Sequence, residues 1–181
     1  MRLFISSGFT APVLARIRDL QNYAGPLLGD SVKWVEPENI HLTYTFLGDV
    51  AQGSKLLAVK KSIDEAAGAF RKPRFALGGF GAFPSLERPR VLWLGLKNGG
   101  DALKAIALKL RSGLAAAGFI LEHDFSAHIT IARVCPAFLA REVKIMAFPD
   151  DGKRFPLSQT KRMNARLDSV SLARIAEKGL C

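Results

Sequence analysis

Two segments of this chain begin alike: His41-Leu42-Thr43-Tyr44-Thr45-Phe46-Leu47-Gly48 and His128-Ile129-Thr130-Ile131-Ala132-Arg133-Val134. Each reads as a strand, rich in β-branched and aromatic residues. Residues two apart in a strand share a face. His41, Thr43 and Thr45 therefore point one way, and Leu42, Tyr44 and Phe46 the other. His128 and Thr130 likewise share a face, opposite Ile129 and Ile131. A single His-x-Thr is read most simply as a structural histidine. Two copies, in a chain with 3 histidines in all, point to two imidazoles facing one cleft.

The rest of the chain supplies elements that can build such a cleft. Residues 2–6 read as a strand bounded by Ser7-Gly8. Thr10 is a candidate N-cap with Pro12 in the first turn, and Val13, Leu14, Ile17 and Leu20 give a helical stripe that should stop before Gly25-Pro26. Residues 32–35 form a short strand, 36–39 a turn, and 40–47 the first His-x-Thr strand. Leu56, Val59, Ile63, Ala66 and Phe70 mark an amphipathic helix. Phe75-Ala76-Leu77 returns as a strand into a glycine-rich bend, Gly78-Gly79-Phe80-Gly81. That bend lacks the third glycine of a dinucleotide fingerprint and is not followed by Gly-Lys-Ser/Thr, so it is no phosphate loop. A bulge or a close backbone crossing is expected there.

The order then restarts. Residues 90–96 read as a strand, and Leu103 to Ala117 as a helix ending at Gly118. The second His-x-Thr strand (127–134) follows, then a short helix through Leu139, Val143 and Met146, and a closing strand from Arg166 to Ile175. Phe4 and Trp93 stand at nearly the same distance ahead of His41 and His128. The expectation is one bilobal domain over residues 1–181, with pseudo-repeats of about 1–84 and 85–181. The expected class is α+β: mainly antiparallel sheets with outer helices around a central cleft.

Composition narrows the partners. Lys and Arg total 26 against 16 Asp and Glu, a net charge of +10, which suits a polyanion such as RNA or a nucleotide. The basic residues fall in short clusters (Arg71-Lys72-Pro73-Arg74, Arg88-Pro89-Arg90), as on a folded surface rather than a disordered arm. No apolar run approaches the roughly 20 residues that span a bilayer, and the start lacks a signal-peptide layout. Cys135 and Cys181 make neither a disulfide framework nor a metal knuckle. A cytoplasmic monomer, with no membrane contact, is expected.

The paired motifs also suggest a chemistry. Imidazoles with pKa near 6.5 serve as base and acid at neutral pH, and threonine hydroxyls donate to the non-bridging oxygens of a phosphodiester. A metal is the competing use of histidine. His123 and His128 are five residues apart, on opposite faces of an extended segment, and zinc wants three or four converging ligands. No metal and no cofactor are expected. Neither a Gly-x-Ser-x-Gly elbow nor an activated cysteine is evident.

The two His-x-Thr segments closely resemble the paired motifs of the two-histidine phosphoesterase superfamily, and within it the RNA 2′,3′-cyclic phosphodiesterases, historically called bacterial 2′-5′ RNA ligases. Arg2-Leu3-Phe4-Ile5, Trp34 to His41, Gly79 to Pro84 and Pro89 to Gly95 extend the likeness in order along nearly the whole chain. The resemblance implies metal-independent hydrolysis of RNA 2′,3′-cyclic phosphate ends to 2′-phosphates, with His41 as general acid and His128 as general base. It implies that Thr43 and Thr130 hold the phosphate and that Phe46 and Arg133 sandwich the terminal nucleobase, with weak reverse 2′-5′ ligation. Strand parity opposes the last pair, since an offset of five from each histidine points off the catalytic face unless the strand bends, bulges or ends. Ala127 stands where the family usually has Pro, and the C-terminus lacks the family's aromatic. The alternatives are a hydrolase of small cyclic phosphates, such as nucleoside or ADP-ribose derivatives, and a non-catalytic RNA- or nucleotide-binding module.

Overall fold

A computed structural model describes residues 2–51, 53–121 and 124–135, together with the backbone of 165–174. His123, Cys181, the expected helix through Leu139, Val143 and Met146, and the C-terminal tail lie outside these residues. Among the described residues there are seven strands: β1 (Arg2–Phe9), β2 (Val32–Trp34), β3 (Leu42–Asp49), β4 (Arg74–Phe83), β5 (Val91–Asn98), β6 (Ile129–Val134) and β7 (Ala165–Arg174). Three α-helices are described among them: α1 (Ala11–Leu28), α2 (Ser54–Ala69) and α3 (Gly100–Ala116). The pairings are antiparallel throughout, so the chain is α+β as expected.

The strands run β2-β6-β3-β1-β7-β4-β5, and β5 pairs back onto β6. The order thus closes into a ring of two extensive sheets, β3-β1-β7 and β2-β6-β5-β4. Two short seams join them. One is the pair Leu42↔Ile129, between β3 and β6; the other is Arg74↔Arg166 and Phe75↔Ala165, between β4 and β7. Each sheet therefore borrows its outer strand from the distant part of the chain. The late β7 pairs with β1, while the early β4 pairs with β5.

Each helix buries one stripe. In α1 this is Val13, Ile17, Leu20, Gln21 and Ala24; in α3 it is Leu103, Ile106, Ala107, Leu110 and Leu114. Apart from Gln21 and Ala24, these join Leu3, Ile5, Leu42, Leu94, Ile129 and Ile131 in one apolar cluster, whose burial supplies the main drive to fold.

Several boundaries shift by one or two residues from the sequence expectation, and three elements differ in ways with a clear cause. β1 continues through Ser7 and Gly8 to Phe9, because Ser7 finds a buried partner in Tyr44. Helix α1 continues through Gly25 and Pro26 to Leu28, ending where the Gly29 N–H caps the Gly25 carbonyl. Its last turn is held by Ala24, which is buried, and Leu28, which packs on the core, and this outweighs the donor that proline lacks. The glycine-rich bend is instead part of one strand, β4. It does contain the expected irregularity: Leu77 pairs with Leu96 but Phe80 with Leu94, leaving one extra residue in β4. It is also a close crossing, since a Cβ at Gly78 would lie 2.7 Å from the Lys97 nitrogen. Among the described residues no helix is long and apolar enough to cross a membrane.

Candidate active site

His41 and His128 each sit one residue before their strand, β3 and β6. The Nδ1 of His41 lies 2.6 Å from the Asn39 carbonyl oxygen, and that of His128 lies 2.8 Å from the Ser126 carbonyl oxygen. A carbonyl only accepts, so each Nδ1 carries the proton and donates. Nε2 is then the nitrogen free to take up or give a proton. The same bond to the carbonyl two residues back fixes both rings in the same tautomer.

The two motifs meet at Leu42↔Ile129. Counting outward along this antiparallel crossing brings position 41 toward 130 and position 43 toward 128. In register, each histidine position thus falls opposite the threonine position of the other motif. His128 and Arg133 both act on His41 as positive neighbours, which places the two sides of the site within electrostatic reach.

Both strands carry a bulge at the third residue after the histidine. Along β1, Ile5 pairs with Thr45 but Ser6 with Thr43, so Tyr44 is the extra residue in β3. Along β5, Leu92 pairs with Ala132 but Trp93 with Thr130, so Ile131 is the extra residue in β6. An extra residue reverses the alternation beyond it. The burial patterns agree: Leu42 to Leu47 and Ile129 to Val134 follow one sequence of buried, half-buried and exposed positions. Thr43 and Thr130 are half-buried, whereas Phe46 and Arg133 are exposed. Phe46 and Arg133 thereby turn onto the side of the histidines, which removes the parity objection. One expectation is corrected: Thr45 does not share the face of His41 and Thr43, but is only 6% exposed.

Buried polar groups hold both bulges. The Ser7 hydroxyl donates to the Tyr44 hydroxyl at 3.2 Å. Gln21, on the core stripe of α1, donates from its amide nitrogen to the Ile131 carbonyl at 3.0 Å and to the Val35 carbonyl at 2.9 Å. The Val35 N–H donates to the same Ile131 carbonyl at 2.9 Å. Nothing in the sequence around Gln21 marks this role. It becomes visible only once α1 lies over β6.

Aromatic rings back both histidines. Phe4 lies 4.9 Å from the His41 ring and 5.8 Å from the Phe46 ring, centroid to centroid. Phe83 meets His128 edge-on at 4.9 Å, with Trp93 at 6.3 Å. The Trp93 indole lies over Gly81, where a Cβ would come within 2.1 Å of it; only glycine leaves room for the ring. The matching positions of Phe4 and Trp93 ahead of the two histidines were the sequence signal for these supports. Burial pushes the His41 pKa below its usual 6.5; its bond to the Asn39 carbonyl opposes this, while Arg133 and His128 add to it. Among the described residues no three His, Cys, Asp or Glu side chains converge as metal ligands would, and Asp124 is paired with Arg111 at 3.9 Å.

Two oriented imidazoles flanked by two threonines form a site suited to acid–base chemistry on a phosphoester. Comparison with known proteins agrees. The family described as LigT like Phosphoesterase matches residues 9–93. An RNA 2′,3′-cyclic phosphodiesterase of Archaeoglobus fulgidus is 34% identical over 134 residues, covering 74% of this chain and 73% of that protein. One from Aquifex aeolicus is 36% identical over 104 residues, 56% of this chain but only 55% of the relative. Among solved structures, TT0787 of Thermus thermophilus matches with a TM-score of 0.62 and 28% identity, covering 74% of each chain. Escherichia coli LigT complexed with 3′-AMP matches at 0.52 and 31%, covering 73% of this chain and 70% of that one. The chain belongs to the LigT-like, two-histidine phosphoesterases.

Proposed function

We propose that this protein is an RNA 2′,3′-cyclic phosphodiesterase that opens the cyclic phosphate to a 2′-phosphate and a free 3′-hydroxyl. The observation that carries this reading is the pair of imidazoles, each with Nδ1 bound to the carbonyl two residues back, flanking the Leu42↔Ile129 crossing. Both present Nε2 for proton transfer. The names of the relatives supply the substrate class.

In this reading His128 Nε2 takes a proton from water as the water oxygen attacks phosphorus. His41 Nε2 gives its proton to the departing 3′ oxygen. Thr43 and Thr130 donate to the non-bridging oxygens, where charge builds up. His41 is disposed to be neutral in the free protein, and the negative phosphate restores its proton on binding. Phe46 and Arg133, five residues after their histidines, take the faces of the terminal base. No metal or cofactor enters the scheme, and the reverse 2′-5′ ligation is weak because water is abundant and RNA ends are scarce.

We further propose that residues 1–181 act as one bilobal, monomeric, cytoplasmic unit with pseudo-repeats of about 1–84 and 85–181. The parallel placing of bulge, threonine and histidine in β3 and β6 supports that division. The test is incubation with RNA ending in a 2′,3′-cyclic phosphate, with and without chelator. A terminal 2′-phosphate formed equally in both is expected; turnover only of small cyclic phosphates, or none at stoichiometric protein, overturns the assignment.

A further inference from the structure

Lys33 lies beside Arg133. Strand β2 pairs with β6 through Val32↔Val134, Lys33↔Arg133 and Trp34↔Ala132. Residues opposite one another on antiparallel strands share a face, with Cβ atoms about 5 Å apart. Both side chains are exposed. On the other edge of β6, Arg133 pairs with Val91, and Val91 pairs with Phe83. Lys33, Arg133, Val91 and Phe83 therefore form one row across four strands. Phe83 touches the His128 ring at 4.9 Å. The row borders the His128 side of the cleft, and Lys33 is its outer end.

Like charges placed directly opposite on a sheet destabilise it. Among the described residues the ion pairs join Arg16 to Asp19, Lys61 to Glu65 and Arg111 to Asp124. None of them offsets the Lys33–Arg133 repulsion, and a bound anion would. On the other sheet Phe46 is paired with Phe4, as Arg133 is with Val91, so the second cation comes from β2 alone.

The two side chains differ in what they suit. The planar guanidinium of Arg133 stacks on a base, whereas Lys33 offers a compact charge on a flexible stem, fit for a phosphate. The terminal nucleotide of an RNA carries two phosphates. One is the cyclic group between the imidazoles, and the other is the phosphodiester on its 5′ side. We infer that Lys33, next to Arg133, binds this 5′-side phosphodiester and so favours oligonucleotide ends over free nucleoside cyclic phosphates. The inference rests on the phosphodiesterase reading above and gives the bound strand a polarity, with its 5′ side leaving over β6 and β2.

The test compares the affinities of a diadenylate ending in a 2′-phosphate and of adenosine 2′-phosphate by calorimetry, for the wild type, Lys33→Met and Lys33→Arg. In Lys33→Met the ratio of the two affinities is expected to fall by about threefold or more, with recovery in Lys33→Arg. The salt slope for the dinucleotide should fall by about 0.7, as for one lost contact to a single strand. A ratio changed by less than about threefold in Lys33→Met overturns the inference. Wild-type turnover of the matching 2′,3′-cyclic phosphates, measured alongside, reports separately on the phosphodiesterase reading. Its absence would remove that reading, while the affinity ratio still decides the role of Lys33.

Discussion

Leu42 and Ile129 face each other as the register pair that joins β3 to β6, and each directly follows a histidine of the site. Both are fully buried. The crossing of the two sheets and the placing of the two imidazoles are therefore one structural event. Packing at this pair sets the distance across the cleft, so the site depends on the core beneath it as well as on its own side chains.

The acid and the base can be separated by the leaving group. Removing either imidazole, in His41→Ala or His128→Ala, should lower turnover of an RNA 2′,3′-cyclic phosphate by about 10²–10⁴-fold. Replacing the 3′ oxygen with sulfur yields a thiolate, which needs no proton to depart. On that substrate His41→Ala should recover most of its loss and His128→Ala should not. The opposite pattern in steady-state rates would exchange the two roles.

The titration of His41 has a defined direction. Burial, with Arg133 and His128 as positive neighbours, holds its pKa below 6.5. Arg133→Gln removes one of those neighbours, so the midpoint should move up, as read by ring-nitrogen NMR. The same spectra should show Nδ1 protonated in the neutral form of both histidines. Because folding lowers this pKa, the contribution of His41 to stability is present above 6.5 and is lost as pH falls through the folded midpoint. A midpoint above 6.5 in the wild type would contradict the site's electrostatics.

Phe46 is 54% exposed, which is not how a core residue sits. Phe46→Ala should therefore cost well under the roughly 3–5 kcal/mol of a buried Phe→Ala. It should still weaken the binding of a base-bearing substrate by about 1–3 kcal/mol through lost stacking. Thermal unfolding and KM together check this. A large stability loss with KM unchanged would return Phe46 to a packing role.

Gln21→Leu removes both amide hydrogen bonds at the β6 bulge. The Ile131 carbonyl keeps the Val35 N–H as donor while the Val35 carbonyl loses the Gln21 amide, which should cost about 1–3 kcal/mol in denaturant unfolding. Because the bulge aims Arg133, the variant should also raise KM. It should add little further loss when combined with Arg133→Ala, as coupled sites do. Fully additive losses in KM would show that Gln21 acts on stability alone.

Much of this was legible in the chain itself. The two His-x-Thr segments, the helical stripes of α2 and α3 and the irregularity within Gly78–Gly81 follow from local periodicity and turn chemistry, which act over a few residues. Period-two counting failed at one place in each motif. Tyr44 and Ile131 look like ordinary strand residues, and what makes them bulges lies elsewhere: Ser7 on β1, Gln21 on α1 and Val35 after β2. Likewise Pro26 reads as a helix stop, yet the packing of Ala24 and Leu28 carries α1 past it.

The sequence by itself determined which groups the proposed chemistry draws on, two imidazoles and two hydroxyls at matched spacing. Only the tertiary structure decided that Phe46 and Arg133 join them on one face and that Thr45 does not. The physical reason is that a side chain's face depends on alternation along the backbone. One extra residue, held by hydrogen bonds from distant elements, reverses that alternation without leaving a mark in the local sequence.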